Sequence, residues 1–336
     1  MPDLHEMLFE MLRPLVRVLL GRKADWADPL DLYYSYRLLL GRKPDAAGWK
    51  AWRRILRKGI PRKNLVDDFL SSAEFRQRYE QPPALVQTDY GFVIFVDPDD
   101  LYIGRGIVAS RTYEPHVTAV LRRELQEHQV FLDIGANMGW FTLLAASILR
   151  AGRVIAIEPN YDDVQLLYRS LLENGFTNVR IFPYAATETD VVLQLNRSRS
   201  NAYVASVGRV DHSATYVPGV RLDALLAHEP RIDVVKMDIE GHEPLALKGM
   251  EGIVRRHRPL IVSEFHPKAM GEYFALEARD YLEAIMALGY RLSVIAPNGD
   301  ELPFTTSGDI MEHWRAYNRG LGSVDDLHLD ILARPL

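Results

Sequence analysis

The sequence predicts an α/β protein: a mostly parallel sheet with helices on both faces, behind a small all-helical N-terminal domain. Three observations lead there. From residue 116 onward, short apolar runs alternate with stretches of helical spacing. A strand, a glycine turn and a helix follow one another across residues 130–149. Residues 1–80 carry helical spacing with few β-branched runs, and are punctuated at Pro44, Gly48, Gly59 and Pro61. A chain of 336 residues accommodates two domains. We place them at residues 1–80 and 116–336, with 81–115 as a linker and short antiparallel strands.

Gln81-Pro82-Pro83 marks the linker. Alternation of apolar and polar residues around Gly91 and Pro98-Asp99-Asp100 predicts the antiparallel strands of residues 85–115. Val130–Ile134 is a buried strand, and Phe141–Leu149 a helix closed by Gly152. Val154–Ile157 is the next strand. Val164, Leu167, Tyr168, Leu171 and Leu172 then recur at helical spacing up to Gly175. Ile232–Val235 and Leu260–Val262 are further buried strands, and Tyr290–Ile295 and His328–Ala333 the last ones. Residues 196–218 are polar, with Ser198, Ser200, Asn201, His212 and Thr215. They form either a loop that meets a substrate or an ordinary surface loop.

Bulk properties narrow the function. With 48% hydrophobic and 25% charged residues, the chain is an ordinary globular protein with a sizeable core. The absence of cysteine excludes thiolate catalysis, cysteine-ligated zinc and disulfides. It accords with a cytoplasmic location. Residues 1–80 hold 16 Lys and Arg against 11 Asp and Glu, the remainder 24 against 34. An acidic larger domain argues against a nucleic-acid partner. The basic part is a solvated surface or meets an acidic partner. Residues 4–20 are apolar but interrupted by Glu6, Glu10, Arg13 and Arg17, so neither a signal peptide nor a membrane span is expected. They read as an amphipathic helix broken at Pro14, packed on a neighbour or lying as a peripheral contact on a membrane. A homodimer formed through the N-terminal helices is a further expectation.

The most informative stretch is Asp133-Ile-Gly-Ala-Asn-Met-Gly139, which joins a strand to a helix. Glycines at 135 and 139 suit a sharp bend that a ligand approaches closely. The following helix offers free N–H groups and a positive dipole end. Glu158 ends the next strand, where a carboxylate can accept both hydroxyls of a ribose. A dinucleotide normally needs G-x-G-x-x-G for its pyrophosphate, and Asn137 stands where the central glycine would be. Asp133 before the turn would repel pyrophosphate and suit a ligand with an ammonium group. S-adenosylmethionine, with an ammonium, a sulfonium and no phosphate, therefore fits better than NAD.

These residues, with Tyr113-Glu114-Pro115, Glu158-Pro159, Leu222-Asp223, Lys236-Met-Asp-Ile-Glu-Gly-His-Glu243, Gly249 and Glu264, resemble the FkbM family of methyltransferases over residues 110–335. The resemblance implies a Rossmann-like, seven-stranded methyltransferase fold whose last strand is antiparallel. It implies methyl transfer to oxygen, on sugars or secondary metabolites. It also implies that Glu114, Asp133, Gly135, Asn137, Gly139, Glu158 and Asp238 bind S-adenosylmethionine. A second resemblance runs from Tyr36-Arg37-x-Leu-Leu-Gly-Arg42-x-Pro-Asp45-x-x-Gly48-x-x-x-Trp52 to Phe69-Leu-Ser-Ser-x-Glu-Phe75. It is similar to the helical DUF4214 module attached to bacterial enzymes of surface polysaccharide assembly. Asp45 is expected to cap a turn there, and Trp52, Phe69 and Phe75 to fill a small core.

Methyl transfer to a hydroxyl needs alignment, exclusion of water and a base. Lys236, Asp238 and Glu240 share one side of a strand end, where unpaired burial would be costly. They are either functional or a salt-bridged strand end. Glu264 and His266 end another strand, with Glu264 placed to orient the imidazole. The expected base is His266 or Asp238. The same carboxylates and His266 are of the type that holds a hard divalent cation, but no spacing demands one and no metal is assigned. The function expected is an O-methyltransferase acting on a glycan or related hydroxylated small molecule. Its rivals are an N-methyltransferase, a secondary-metabolite O-methyltransferase, an NAD-dependent oxidoreductase and a partner-binding protein with a vestigial fold.

Overall fold

The computed structural model describes residues 26–40, 42–72, 74–75, 82–101, 103–197, 202–206, 214–322 and 327–336. The segment 4–20, Gln81 of the linker, and Ser198, Ser200, Asn201 and His212 lie outside the described residues. The chain divides into two compact units, Met1–Glu80 and Gln81–Leu336. Among the described residues no helix is long and apolar enough to cross a membrane.

In the first unit, helix Pro29–Tyr34 runs into a wider turn at Ser35–Leu39, and helices Ala46–Lys58 and Arg62–Leu70 follow. Asp28 and Asp31 cap the first helix reciprocally. Asp45 accepts from the Gly48 N–H at 2.8 Å, which starts the second helix. Arg42 holds Asp45 at 3.1 Å and lies over the Tyr36 ring. Trp52 stacks on Phe69 at 5.1 Å, Tyr36 meets Phe69 edge-on, and Phe75 is buried.

The second unit opens with an antiparallel hairpin, β1 (Ala84–Gln87) and β2 (Val93–Val96). The rest of the expected strand region is helical: Ile103–Ser110 forms a helix instead. The Asp100 carboxylate accepts from the Ile103 N–H at 2.9 Å, and Ile107 follows one turn later into the core. The remaining strands are β3 (Val130–Ile134), β4 (Arg153–Ile157), β5 (Val179–Phe182), β6 (Ala185–Ala186), β7 (Val191–Arg197), β8 (Ala202–Ser206), β9 (Thr215–Val220), β10 (Val234–Met237), β11 (Leu260–Phe265), β12 (Tyr290–Ile295), β13 (Glu301–Phe304) and β14 (Leu329–Pro335).

Eight strands form the main sheet, in the order β13-β12-β14-β11-β10-β3-β4-β5. The run from β11 through β10, β3 and β4 to β5 is parallel. The last strand, β14, is antiparallel and lies between β11 and β12, while β13 adds a hairpin edge to β12. The chain winds outward from β3 through β4 to β5, then returns to start again at β10. Neighbours β3 and β10 therefore flank the switch point, where ligands of such sheets bind. Within 196–218, expected as a loop, residues 196–197, 202–206 and 215–218 instead belong to strands of a second sheet in the order β6-β9-β7-β8.

The strict alternation of β3 sorts its side chains between the two faces of the sheet. Val130, Leu132 and Ile134 enter the core on one face, and Phe131 the core on the other. Asp133 thus shares a face with Phe131, and the β3–β10 register sets Lys236 beside it. On that same face β11 continues from Val262 to Glu264, which pairs in register with Asp330 of β14. The apolar rows of one sheet face therefore end in a row of charged residues.

Gly135 sits just past β3 with φ +83°, and a Cβ there would lie 1.9 Å from the Asp238 carbonyl oxygen. The two loops at the switch point touch through this missing side chain. Gly135→Ala should lower the unfolding free energy by about 1–3 kcal/mol from backbone strain alone. Urea unfolding followed by fluorescence measures this, and an unchanged midpoint would contradict the close approach.

Candidate active site

The cavity at the switch point encloses about 890 Å³, counting its open mouth. Of the residues named from the sequence, Gly135, Asn137, Glu158, Lys236, Asp238 and Glu240 line it. Glu114, Asp133, Gly139, Glu264 and His266 are not on its wall.

Glu158 is held by the turn beside it. One carboxylate oxygen accepts from the Asn137 N–H at 2.8 Å, the other from the Asn160 N–H at 2.7 Å. Asn137 adopts φ +50°, and its own side chain caps the Met138 N–H at 2.7 Å. This geometry fixes the carboxylate while leaving each oxygen a second lone pair toward the cavity. Gly139 has another reason to be glycine. A Cβ there would meet Leu167 Cδ1 at 2.3 Å, so it lets two helices approach.

Asp133, expected to meet a ligand ammonium, lies off the cavity lining and makes contacts within the protein. Asp133 is fully buried. The Thr142 hydroxyl donates to one oxygen at 2.6 Å, and the other oxygen has no hydrogen-bond partner. Its counter-ion is Lys236, whose ammonium donates to Asp238 at 2.6 Å and lies 4.3 Å from the Phe141 ring centroid. Burial works against the Lys236 charge, but Asp238, Glu114 and Asp133 outweigh it and hold its pKa above the ordinary value. Burial raises Asp238, yet Lys236 brings it below the usual carboxylate range overall.

Glu114 adopts a left-handed φ of +39° at the head of helix Pro115–Glu124, and one buried oxygen lacks a partner. Glu264 pairs with His328 at 3.1 Å and likewise keeps one unpartnered oxygen. Burial and the neighbouring Asp238 push its pKa well up. His266 caps helix Pro267–Phe274, its Nδ1 accepting from the Ala269 N–H at 3.4 Å. It does not line the cavity wall. Among the described residues, no group of three or more His, Asp or Glu is placed to hold a metal ion.

Two features of this wall are missed by reasoning from sequence. Val204, Ala185 and Ala186, from the second sheet, close one side of the cavity. His242, at the head of helix Glu243–Gly249, lines it with both ring nitrogens unpartnered. Its position directly after the Glu240-Gly241 turn is the available signal.

A parallel α/β sheet with its glycine turn and acidic strand end at the switch point defines a Rossmann-like class of fold. The comparisons specify it further. Residues 133–292 match the family model described as the methyltransferase FkbM domain, and residues 31–79 match that of DUF4214, a domain of unknown function. No curated protein matches the chain. Solved structures similar to it include methyltransferase FkbM from Methylobacillus flagellatus, at 17% identity over 80% of this chain, with a TM-score of 0.38. This chain spans 57% of the length of that protein. Precorrin-6y C5,15-methyltransferase from Geobacter metallireducens matches at 14% identity over 72% of this chain and 98% of its own, with a TM-score of 0.39. An rRNA methylase from Streptococcus thermophilus matches at 12% identity over 67% and 98%, with a TM-score of 0.38. The strand order matches the seven-stranded methyltransferase arrangement, with β13 as an added edge.

The buried carboxylates make stability depend on pH. Burial pushes Glu114 and Glu243 up to about 8, Glu158 to about 7 and Asp133 to about 6. The native state therefore keeps protons that the unfolded chain has released. The stability these groups contribute is complete below the ordinary carboxylate range and is lost as pH rises through the folded values. The thermal midpoint should fall between about pH 5.5 and about pH 8.5, and Glu114→Gln should flatten that fall. Calorimetric scans across this range test it, and an equally steep fall in the variant would refute the assignment.

Proposed function

We propose that this protein is an S-adenosylmethionine-dependent O-methyltransferase acting on a hydroxyl of a glycan or a related hydroxylated small molecule. The observation that carries the cofactor assignment is Glu158, fixed by two backbone N–H groups on the wall of the switch-point cavity. The donor set fits an adenosyl ligand. Glu158 suits the ribose hydroxyls, and Ile103, Met138, Ile157 and Pro159 offer apolar surface beside it. Acid exceeds base around the cavity: Glu114, Asp133, Asp238 and Glu264 surround the single ammonium of Lys236. This excess favours a cationic ligand over a pyrophosphate.

When bound, S-adenosylmethionine supplies a methyl group on a sulfonium centre. The chain does the rest. Gly135 and Asn137 shape the turn, Glu158 orients the ligand, and the apolar wall excludes water. The Lys236–Asp238 pair, seated on Phe141, keeps the two switch-point loops in place.

Two features support a glycan acceptor. The motif residues between Tyr36 and Phe75 resemble those of a module attached to bacterial enzymes of surface polysaccharide assembly. Tyr203 and Tyr273 also stack at 4.4 Å, with Tyr273 48% exposed, outside the cavity lining. Such an aromatic face suits the apolar side of a sugar ring.

Calorimetric titration with S-adenosylmethionine, S-adenosylhomocysteine and NAD tests the cofactor. We expect both adenosyl ligands to bind, and Glu158→Ala to weaken them roughly tenfold or more. Absence of adenosyl binding, or preference for NAD, would overturn the assignment.

A further inference from the structure

His242 is 3% exposed, lies in the cavity wall and, among the described residues, has no hydrogen-bond partner at Nδ1 or Nε2. Leaving a buried polar side chain unpaired is costly, so its retention calls for a partner that arrives later. Its position is rigid. Glu240 and Gly241 before it adopt φ of +57° and +92°, and a Cβ on Gly241 would lie 2.8 Å from the Ala269 backbone. The turn is therefore pressed against helix Pro267–Phe274, whose Phe274 meets the His242 ring edge-on at 4.8 Å. Burial lowers the His242 pKa to about 4, so at neutral pH the ring offers one free lone pair and one free N–H.

Asp238, Glu158 and Asp163, three other groups of this wall that could take a proton, already have partners. The Lys236 ammonium occupies Asp238. Backbone N–H groups hold both oxygens of Glu158, and the proposed ribose hydroxyls take their remaining lone pairs. The Asn160 amide holds Asp163. His266 caps its helix away from the cavity wall.

We infer that His242 is the catalytic base, receiving the proton of the acceptor hydroxyl. The inference rests on the proposed O-methyltransferase activity. As the acceptor oxygen forms its bond to the methyl carbon, the carbon–sulfur bond breaks and leaves its electron pair on sulfur. The hydroxyl proton passes to the free ring nitrogen, and the imidazolium later returns it to water. A weakly basic imidazole suffices, because the hydroxyl becomes strongly acidic once its oxygen carries the new bond. Staying neutral also keeps the lone pair available.

The test uses the intact chain and diethyl pyrocarbonate, with the modified histidine located by peptide mass spectrometry. His242 should react in the free protein, and should still react when S-adenosylhomocysteine is bound and no acceptor is present. His242→Asn and His242→Phe should keep S-adenosylmethionine affinity within about threefold by calorimetry. With any hydroxylated acceptor that the wild-type protein methylates, His242→Asn should lower kcat about a hundredfold or more, and added imidazole should partly restore His242→Ala. Inert His242 in both states, protection by S-adenosylhomocysteine, or a tenfold loss of cofactor affinity in both folded variants would overturn the assignment. If wild type binds no adenosyl ligand, the cofactor reading fails instead, and reactivity of free His242 still reports whether the ring faces the cavity.

Discussion

One buried ammonium organises the site end of this sheet. Lys236 sits between β3 and β11 where the apolar rows stop, with Asp133 beside it in register. Asp238 lies in front of it and the Phe141 ring beneath it. A lysine in so dry a place would ordinarily lose its proton. Here the surrounding carboxylates keep it charged, and it in turn keeps Asp238 ionised. Removing it would leave several buried carboxylates without a counter-ion, a costly state in a low-dielectric interior. The positions of Asp238 and of the helix carrying Phe141 and Thr142 follow from satisfying this one charge.

The glycine turn depends on the same arrangement. The Gly135 and Ala136 N–H groups both donate to the Ile157 carbonyl, which ties the turn to the end of β4, where Glu158 begins. Asn137 then closes onto Glu158 itself. On the other side, the missing Gly135 side chain lets the Asp238 loop touch the turn. Three strand ends are thus held to one another by backbone contacts. The side chains at the cavity wall can then be rigid without a dense packing of their own.

Much of this is legible in the sequence, for a physical reason. A strand buried on both faces must be a continuous apolar run, so Val130–Ile134 and Leu260–Val262 announce themselves. A turn that must adopt positive φ requires residues such as glycine and asparagine, so the loop after β3 does too. The second sheet hides because its strands are half exposed. Val191 and Val192 face solvent at 43% and 57%, and polar segments interrupt the strands. Their pairing is set by distant partners, which spacing cannot reveal. Asp133 shows the limit at the site. An acid in an apolar strand signals a function or a partner, but the sequence cannot say that Thr142 and Lys236 already supply one. His242 is harder still, since what distinguishes it is the lack of partners at both nitrogens, a property of the folded chain alone.

The surplus of acid over base at this cavity bears on how a ligand enters and leaves. Lys236 offsets one carboxylate. Glu114 and Glu264, both pushed up by burial, tend to stay protonated until another cation comes near. A ligand carrying positive charge lets them ionise, so its binding draws on the same electrostatic imbalance that costs the empty fold stability at high pH. A pyrophosphate would meet Asp238, Glu240 and Glu158 with one ammonium to offset them. Under the proposed function the sulfonium charge is present before transfer and gone after it. The attraction is therefore strongest for the reactant and weakest for the spent ligand, and the cluster that selects the ligand also favours its release.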